Sequence, residues 1–185
     1  KFVEANLNLE IDYAEIFDGF DPNLISPDGH YLATGWNQFV FVYNKNAVSE
    51  AEVPKSFDEC LDPKWKGGKI GVYTRPLAFA QHFFRLGEEK AIEYHKALKD
   101  QEPVWTSGTN ATMASLAAGE FDIVCGIQYH AVKNILREDP TAPVGWIVPD
   151  IFAYQPGESL TVMADAESPN AAVLLAAYLA TDGAP

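Results

Sequence analysis

The chain has only two cysteines, Cys60 and Cys125, among its 185 residues. Two are too few for a disulfide scaffold or a metal knuckle, and nothing in their placement argues for a bridge between them. Cys125 falls in the apolar run 121–127 and reads as an inert core thiol, whereas Cys60 sits in a polar segment. Long apolar runs are missing too. The longest, 171–180, is about half the roughly 20 residues that a membrane-spanning helix needs. Bases are scarce: 13 against 26 acids leave a net charge of -13, a field that repels phosphate backbones and excludes nucleic acid as a partner. Enzyme signatures are absent as well, with no G-x-S-x-G elbow, phosphate-binding G-x-x-x-x-G-K-[ST] loop, G-x-G-x-x-G turn or H-E-x-x-H helix.

What is present is the composition of one compact domain or two small ones, 48% apolar and 12% aromatic, which excludes disorder, collagen and coiled coil. The charge is unevenly spread. Residues 1–28 hold seven acids and one Lys, residues 150–185 hold five acids and no base, and the stretch between them is nearly neutral. Both ends therefore read as one acidic body and the middle as another, the alternative being a merely solubilising surface.

Residues 2–28 carry Asp-Gly, Asp-Pro and Pro-Asp-Gly punctuation and predict irregular, turn-rich structure. Phe39 to Tyr43 predicts a buried strand closed by Asn44, Lys45 and Asn46, and Lys69 to Tyr73 a second. Ser56 followed by Glu59 has the spacing of a capping box that opens a short helix, stopped by Pro63. Residues 77–99 predict two helices interrupted at Gly87, one burying Phe79, Phe83 and Leu86 and the other Ala91, Tyr94 and Leu98. Next come a strand at 104–107, a helix over 109–118 ended by Gly119, a strand at 121–126, a helix over 129–137 and a strand at 146–148. A strand at 159–164 and a helix from Pro169 to Ala180 complete the chain. Strands alternating with helices make an α/β fold with a parallel-rich sheet.

In such sheets ligands bind beyond the carboxyl ends of strands, where the next helix points its N-terminus. Tyr73 with Arg75, the Thr106-Ser107-Gly108-Thr109-Asn110 loop, and Tyr129 with His130 all come after strands. They are expected to converge on one cleft. The loop offers hydroxyls, an amide and backbone N–H groups to an oxyanion, or is an ordinary helix cap. Arg75 suits bidentate capture of an anion or a surface ion pair. Tyr129 and His130 supply a phenol and an imidazole, the candidate metal ligands if the ligand is a metal. Trp36 precedes the first strand and could line the cleft or simply pack. His30, His82 and His95 lack ligand spacing, and the latter two read as surface or core-edge residues.

Residues 53–72, VPKSFDECLDPKWKGGKIGV, resemble the P-x-S-W-x-D-L-x-D-P-K-W-K-G-K-I stretch of extracellular solute-binding proteins that serve ABC importers. LAAGEFDI at 116–123, FVYN at 41–44, APVGWIVP at 142–149 and SPNAA at 168–172 are similar to further segments of that family. The resemblance implies a type 2 periplasmic-binding fold: α/β, two lobes with mostly parallel sheets joined by crossing strands. Lobe I would hold residues 1–43 and 149–185 and lobe II residues 44–148. It also implies a partial chain, with further elements of lobe I before Lys1 and after Pro185.

The function implied is a periplasmic or extracellular receptor, free or lipid-anchored and monomeric. It would capture a small ligand between its lobes and deliver it to the transmembrane subunits of an ABC permease, with no cofactor and no catalysis. The chain looks nearest the ferric-ion-binding branch, which places two adjacent tyrosines where this sequence has Tyr129 and His130. Ferric iron prefers hard oxygen ligands and imidazole is borderline. Related branches take polyamines, thiamine, phosphonates or sugars, so a small organic or phosphorus-containing solute is the other ligand class. An enzyme using the same cleft and a sensor on the same fold are the competing functions.

Overall fold

The computed structural model describes residues 3–16, 21–75, 82–83, 86–150, 154–156 and 158–180. The chain divides into two compact units, one of Lys1–Asn37 with Tyr154–Pro185 and one of Gln38–Ala153.

In the first unit a short helix α1 (Tyr13–Ile16) precedes strand β1 (Leu32–Ala33). Late in the chain the short strand β7 (Tyr154–Pro156) leads to β8 (Ser159–Leu160), which pairs antiparallel with β1 in the register Leu32 to Leu160. Asn8 bridges to Met163 in the same sense. Helix α5 (Pro169–Ala180) starts on proline, whose missing N–H a first helical turn does not need. Ala176 on this helix closes a core of Ile11, Tyr13, Leu32 and Val162. Among the described residues of 2–28, α1, a 3-10 turn at Pro22–Leu24 and single bridges at Asn8 and Ile25 interrupt a largely irregular chain, as the turn punctuation predicts.

The second unit is built on a sheet. Strand β2 (Trp36–Asn44) is buried from Phe39 onward and lies between β5 (Ile123–Gln128) and β6 (Val144–Ile147), antiparallel to both. Strand β3 (Gly71–Tyr73) runs parallel to β4 (Val104–Thr106), and one parallel bridge from Ile70 to Ile123 joins this pair to β5. Four strands thus point one way and β2 the other. The sequence predicts a division at 43/44 and 148/149. The units divide at 37/38 and 153/154, because Phe39 to Asn44 are held on both sides by strands of the middle unit. Asn44 ends β2: its buried side chain donates to the Leu116 carbonyl at 2.8 Å and accepts from Asn46 N–H at 2.8 Å, a local turn that competes with extension.

One face of this sheet packs on helices α3 (Thr109–Ala118) and α4 (Tyr129–Glu138) through Val40, Val42, Met113, Leu116, Phe121, Val124, Ile127, Ala131 and Val132. Gly119 ends α3 in the left-handed conformation, as expected. The other core holds Tyr43, Trp65, Ile70, Val72 and Ile123 with Tyr94 and Leu98 of helix α2 (Glu88–Asp100). The expected helix around Phe79 lies largely outside the described residues.

Two local expectations are corrected. Ser56 and Glu59 do interact, the Glu59 N–H donating to Ser56 Oγ at 3.3 Å, but they open only a single 3-10 turn, Glu59–Leu61, cut short by Pro63 two residues later. A capping box proper forms at Ser49 and Glu52. Cys125 is not an inert thiol: it forms a disulfide with Cys60, their Cα atoms 6.5 Å apart, tying that 3-10 turn to the middle of β5.

His82 is more interior than the sequence suggests, while His95 is half-buried at the edge of the core, as expected. His82 is 4% exposed, and its Nδ1 lies 2.8 Å from His95 Nε2 within an aromatic cluster of Phe57 and Tyr94. Burial holds the His95 imidazole below its ordinary value. As the pH falls below about 6.5 the unfolded chain takes up this proton while the folded chain resists it. The stability contribution is therefore complete above that pH and is lost as the pH drops toward the lower folded value. His95→Gln is expected to remove this part of the slope, which thermal melts of both proteins at about pH 7.5 and about pH 5.5 will show.

Candidate functional site

Four strands of the middle unit run parallel, so their carboxyl ends meet at one edge of the sheet and the helices that come next start there. That edge collects Tyr73 from β3, Thr106 from β4, Gln128 from β5 and Ile147 from β6. Beyond them lie Arg75 and Ser107, both exposed, and then the first residues of α3 and α4.

Thr74 ties the ends of β3 and β4 together, its N–H and hydroxyl donating to the Thr106 carbonyl at 3.0 and 2.8 Å. The Thr106 hydroxyl donates to the Val72 carbonyl at 3.1 Å and lies 2.6 Å from the buried Thr112 hydroxyl, so its proton is committed to the scaffold. Thr106 therefore fixes the loop that carries Ser107, Gly108 and Thr109. Helix α3 opens without a side-chain cap, and its first turn offers N–H groups that the helix itself does not use. Thr109 is half-buried on that turn. Exposed Asn110 also borders a groove of about 50 Å³ between α3 and α4, with Met113, Ala131 and Asn134.

Tyr129 and His130 open α4 directly from β5. His130 is exposed. Tyr129 is half-buried, and its ring packs on Trp146 of β6 with centroids 4.7 Å apart and planes at 55°. The sequence pattern does not single out Trp146. It stands beside Tyr129 because β5 and β6 both flank β2, a neighbourhood that spacing along the chain does not reveal.

Two candidates sit elsewhere. Tyr73 is 5% exposed and borders a small cavity of about 20 Å³ with His82, Cys125 and Gly126, room for one water, so its side chain belongs to the interior. Trp36 belongs to the first unit, where it is exposed and its Nε1 donates to Asp21 at 3.3 Å. Arg75, Ser107, Thr109, Asn110, Tyr129 and His130 thus all follow the carboxyl ends of the parallel strands. Among the described residues no three His, Cys, Asp or Glu side chains gather as a metal cluster. At the edge, the Tyr129 phenol is a candidate ligand for a hard cation and the His130 imidazole a borderline one. An oxyanion would find Arg75 and the start of α3.

Comparison with known proteins agrees with this architecture. The iron- and citrate-bound IdiA (FutA) structure from Trichodesmium superposes with a TM-score of 0.78 at 20% identity, covering 98% of this chain and 61% of that one. AfuA from Actinobacillus pleuropneumoniae, with fructose-6-phosphate bound, superposes with a TM-score of 0.74 at 22% identity, covering 98% and 59%. These likenesses show the fold, a periplasmic-binding-protein fold of mixed α/β type. In sequence, the Fe(3+)-binding periplasmic protein of Serratia marcescens is 26% identical over 132 residues, 65% of this chain, and the match spans only 38% of that protein's length. The family model described as bacterial extracellular solute-binding protein matches residues 2–184, and the chain belongs to that family.

Proposed function

We propose that this chain is part of the extracytoplasmic receptor of an ABC importer, that its middle unit is one lobe of that receptor, and that the cargo is ferric iron. The single observation that carries the reading is Tyr129. Its phenol opens the helix that follows β5, at the carboxyl-end edge of the sheet, half-buried and packed on Trp146, with His130 next in the chain. A phenolate oxygen is a hard ligand suited to a ferric ion. The net charge of -13 favours a cationic cargo over a free anion, and the Serratia relative is named for Fe(3+). Arg75 and the N–H groups opening α3 then hold the anion that accompanies the metal, as iron and citrate occur together in the Trichodesmium structure.

In this role the protein performs no catalysis. It works as a monomer outside the cytoplasm, free or lipid-anchored, and its macromolecular partner is the permease.

A second reading, a receptor for a small organic phosphate, rests on the same Arg75 and α3 start and on the fructose-6-phosphate bound to AfuA. Titration of the wild type and Tyr129→Phe with ferric citrate and with fructose-6-phosphate separates the two. Under the iron reading the wild type develops a visible phenolate-to-metal charge-transfer band that weakens on acidification, as protons compete for the ligands. The Phe variant then loses both the colour and the binding. Under the phosphate reading Tyr129→Phe costs about one hydrogen bond, roughly 0.5–1.5 kcal/mol, and iron binds neither protein tightly. Ferric binding that survives in Tyr129→Phe overturns the proposal.

A further inference from the structure

We infer that Gly126 is a positioning residue for the ligand edge: a one-residue bulge at Gly126 in β5 aims Tyr129 at Trp146 and at the solute. The inference rests on the reading of Tyr129 as a ligand. The register between β2 and β5 pairs Tyr43 with Ile123, Val42 with Val124 and Phe41 with Cys125, and then skips to Val40 with Ile127. Gly126 is the residue left over, at φ +105°, a conformation that L side chains rarely adopt.

The packing records what the extra residue does. Side chains alternate along a strand, so without it Ile127 would share a face with Cys125. Instead Ile127 lies in the same core as Val124, three residues earlier, together with Val40 and Val42. Cys125 packs with the opposite core. The bulge has therefore inverted the facing of everything after it in β5, and Tyr129 begins its helix on the side of α3 and α4, where its ring packs against that same core and on Trp146. The small cavity beside Tyr73, His82 and Cys125 is bordered by Gly126 itself, where the bulged backbone departs from its neighbours. Bulges beside functional sites commonly re-aim a side chain in this way.

The test compares Gly126→Ala with D-alanine introduced at position 126 by semisynthesis, since a D-residue accepts at φ +105° what an L-residue accepts at the mirror-image angle. Two readouts are taken on the full chain: the nuclear Overhauser contact between the Tyr129 and Trp146 rings without ligand, and ferric affinity measured in competition with citrate. Gly126→Ala is expected to lose the ring contact and at least tenfold in affinity, while the D-alanine protein keeps the contact and stays within about threefold, because it preserves the bulge. A Gly126→Ala protein that melts lower but retains both the contact and the affinity overturns the inference, for the glycine is then only structural. Loss in both variants alike overturns it as well. If the wild type binds no ferric iron, the cargo reading fails, and the ring contact alone decides the role of Gly126.

Discussion

Replacing Cys60 and Cys125 together with alanine is expected to destabilise the middle unit by roughly 4 kcal/mol, the largest loss available without opening a large cavity in the core. The bridge closes a loop of 65 residues, and the chain-entropy relation for a loop of that length gives about 4 kcal/mol at room temperature. Further loss comes from packing, because Cys60 is fully buried and Cys125 borders the core of Tyr94 and Leu98. The melting temperature should drop by roughly 10 °C. Urea unfolding with and without dithiothreitol provides the control: reductant lowers the midpoint of the wild type most of the way to that of the double variant, which the lost packing leaves lower still, and leaves the variant itself unmoved. A double variant within about 1 kcal/mol of the wild type would refute the entropic assignment. Reduction of the native protein should also be slow, since the Cys60 sulfur is reached only after local opening.

This bridge marks the limit of what the sequence discloses. Elements governed by local chemistry were legible. Helix α3 runs from Thr109 to Ala118 and ends on Gly119, α5 starts at Pro169, and Ala91, Tyr94 and Leu98 face the core from α2, all as periodicity and capping residues indicate. The apolar run Phe39 to Tyr43 announced the buried part of β2. Features that depend on which strands become neighbours were not legible. Cys60 and Cys125 belong to a 3-10 turn and a strand that meet only through the sheet, and Trp146 meets Tyr129 only because β2 separates β5 from β6. The candidate site divides along the same line. The rule that ligands gather at carboxyl ends singled out Arg75, Ser107, Thr109 and Tyr129, and these do follow the ends of β3, β4 and β5. It could not tell that Tyr73 turns inward or that the Thr106 proton is spent on the Val72 carbonyl, because both depend on packing one layer deeper.

The second large effect is expected at Phe121, which is 2% exposed and packs with Met113, Leu116 and Val124 beneath α3. Truncation to alanine removes a full ring from a closed core and should cost about 3–5 kcal/mol. The same ring explains why position 71 in β3 is a glycine, since a Cβ built there would overlap the Phe121 ring. Gly71→Ala alone should therefore cost about 1–3 kcal/mol by overpacking, as neither the strand backbone nor the enclosed ring can retreat. The two changes are expected to compensate when combined. Alanine at 121 vacates the space that a methyl at 71 needs, and that methyl refills part of the cavity. The double variant should be less destabilised than the two single losses taken together by at least about 1 kcal/mol. Urea unfolding of the four proteins closes the cycle, and additivity within about 0.5 kcal/mol would show that the Gly71 backbone is free of the ring.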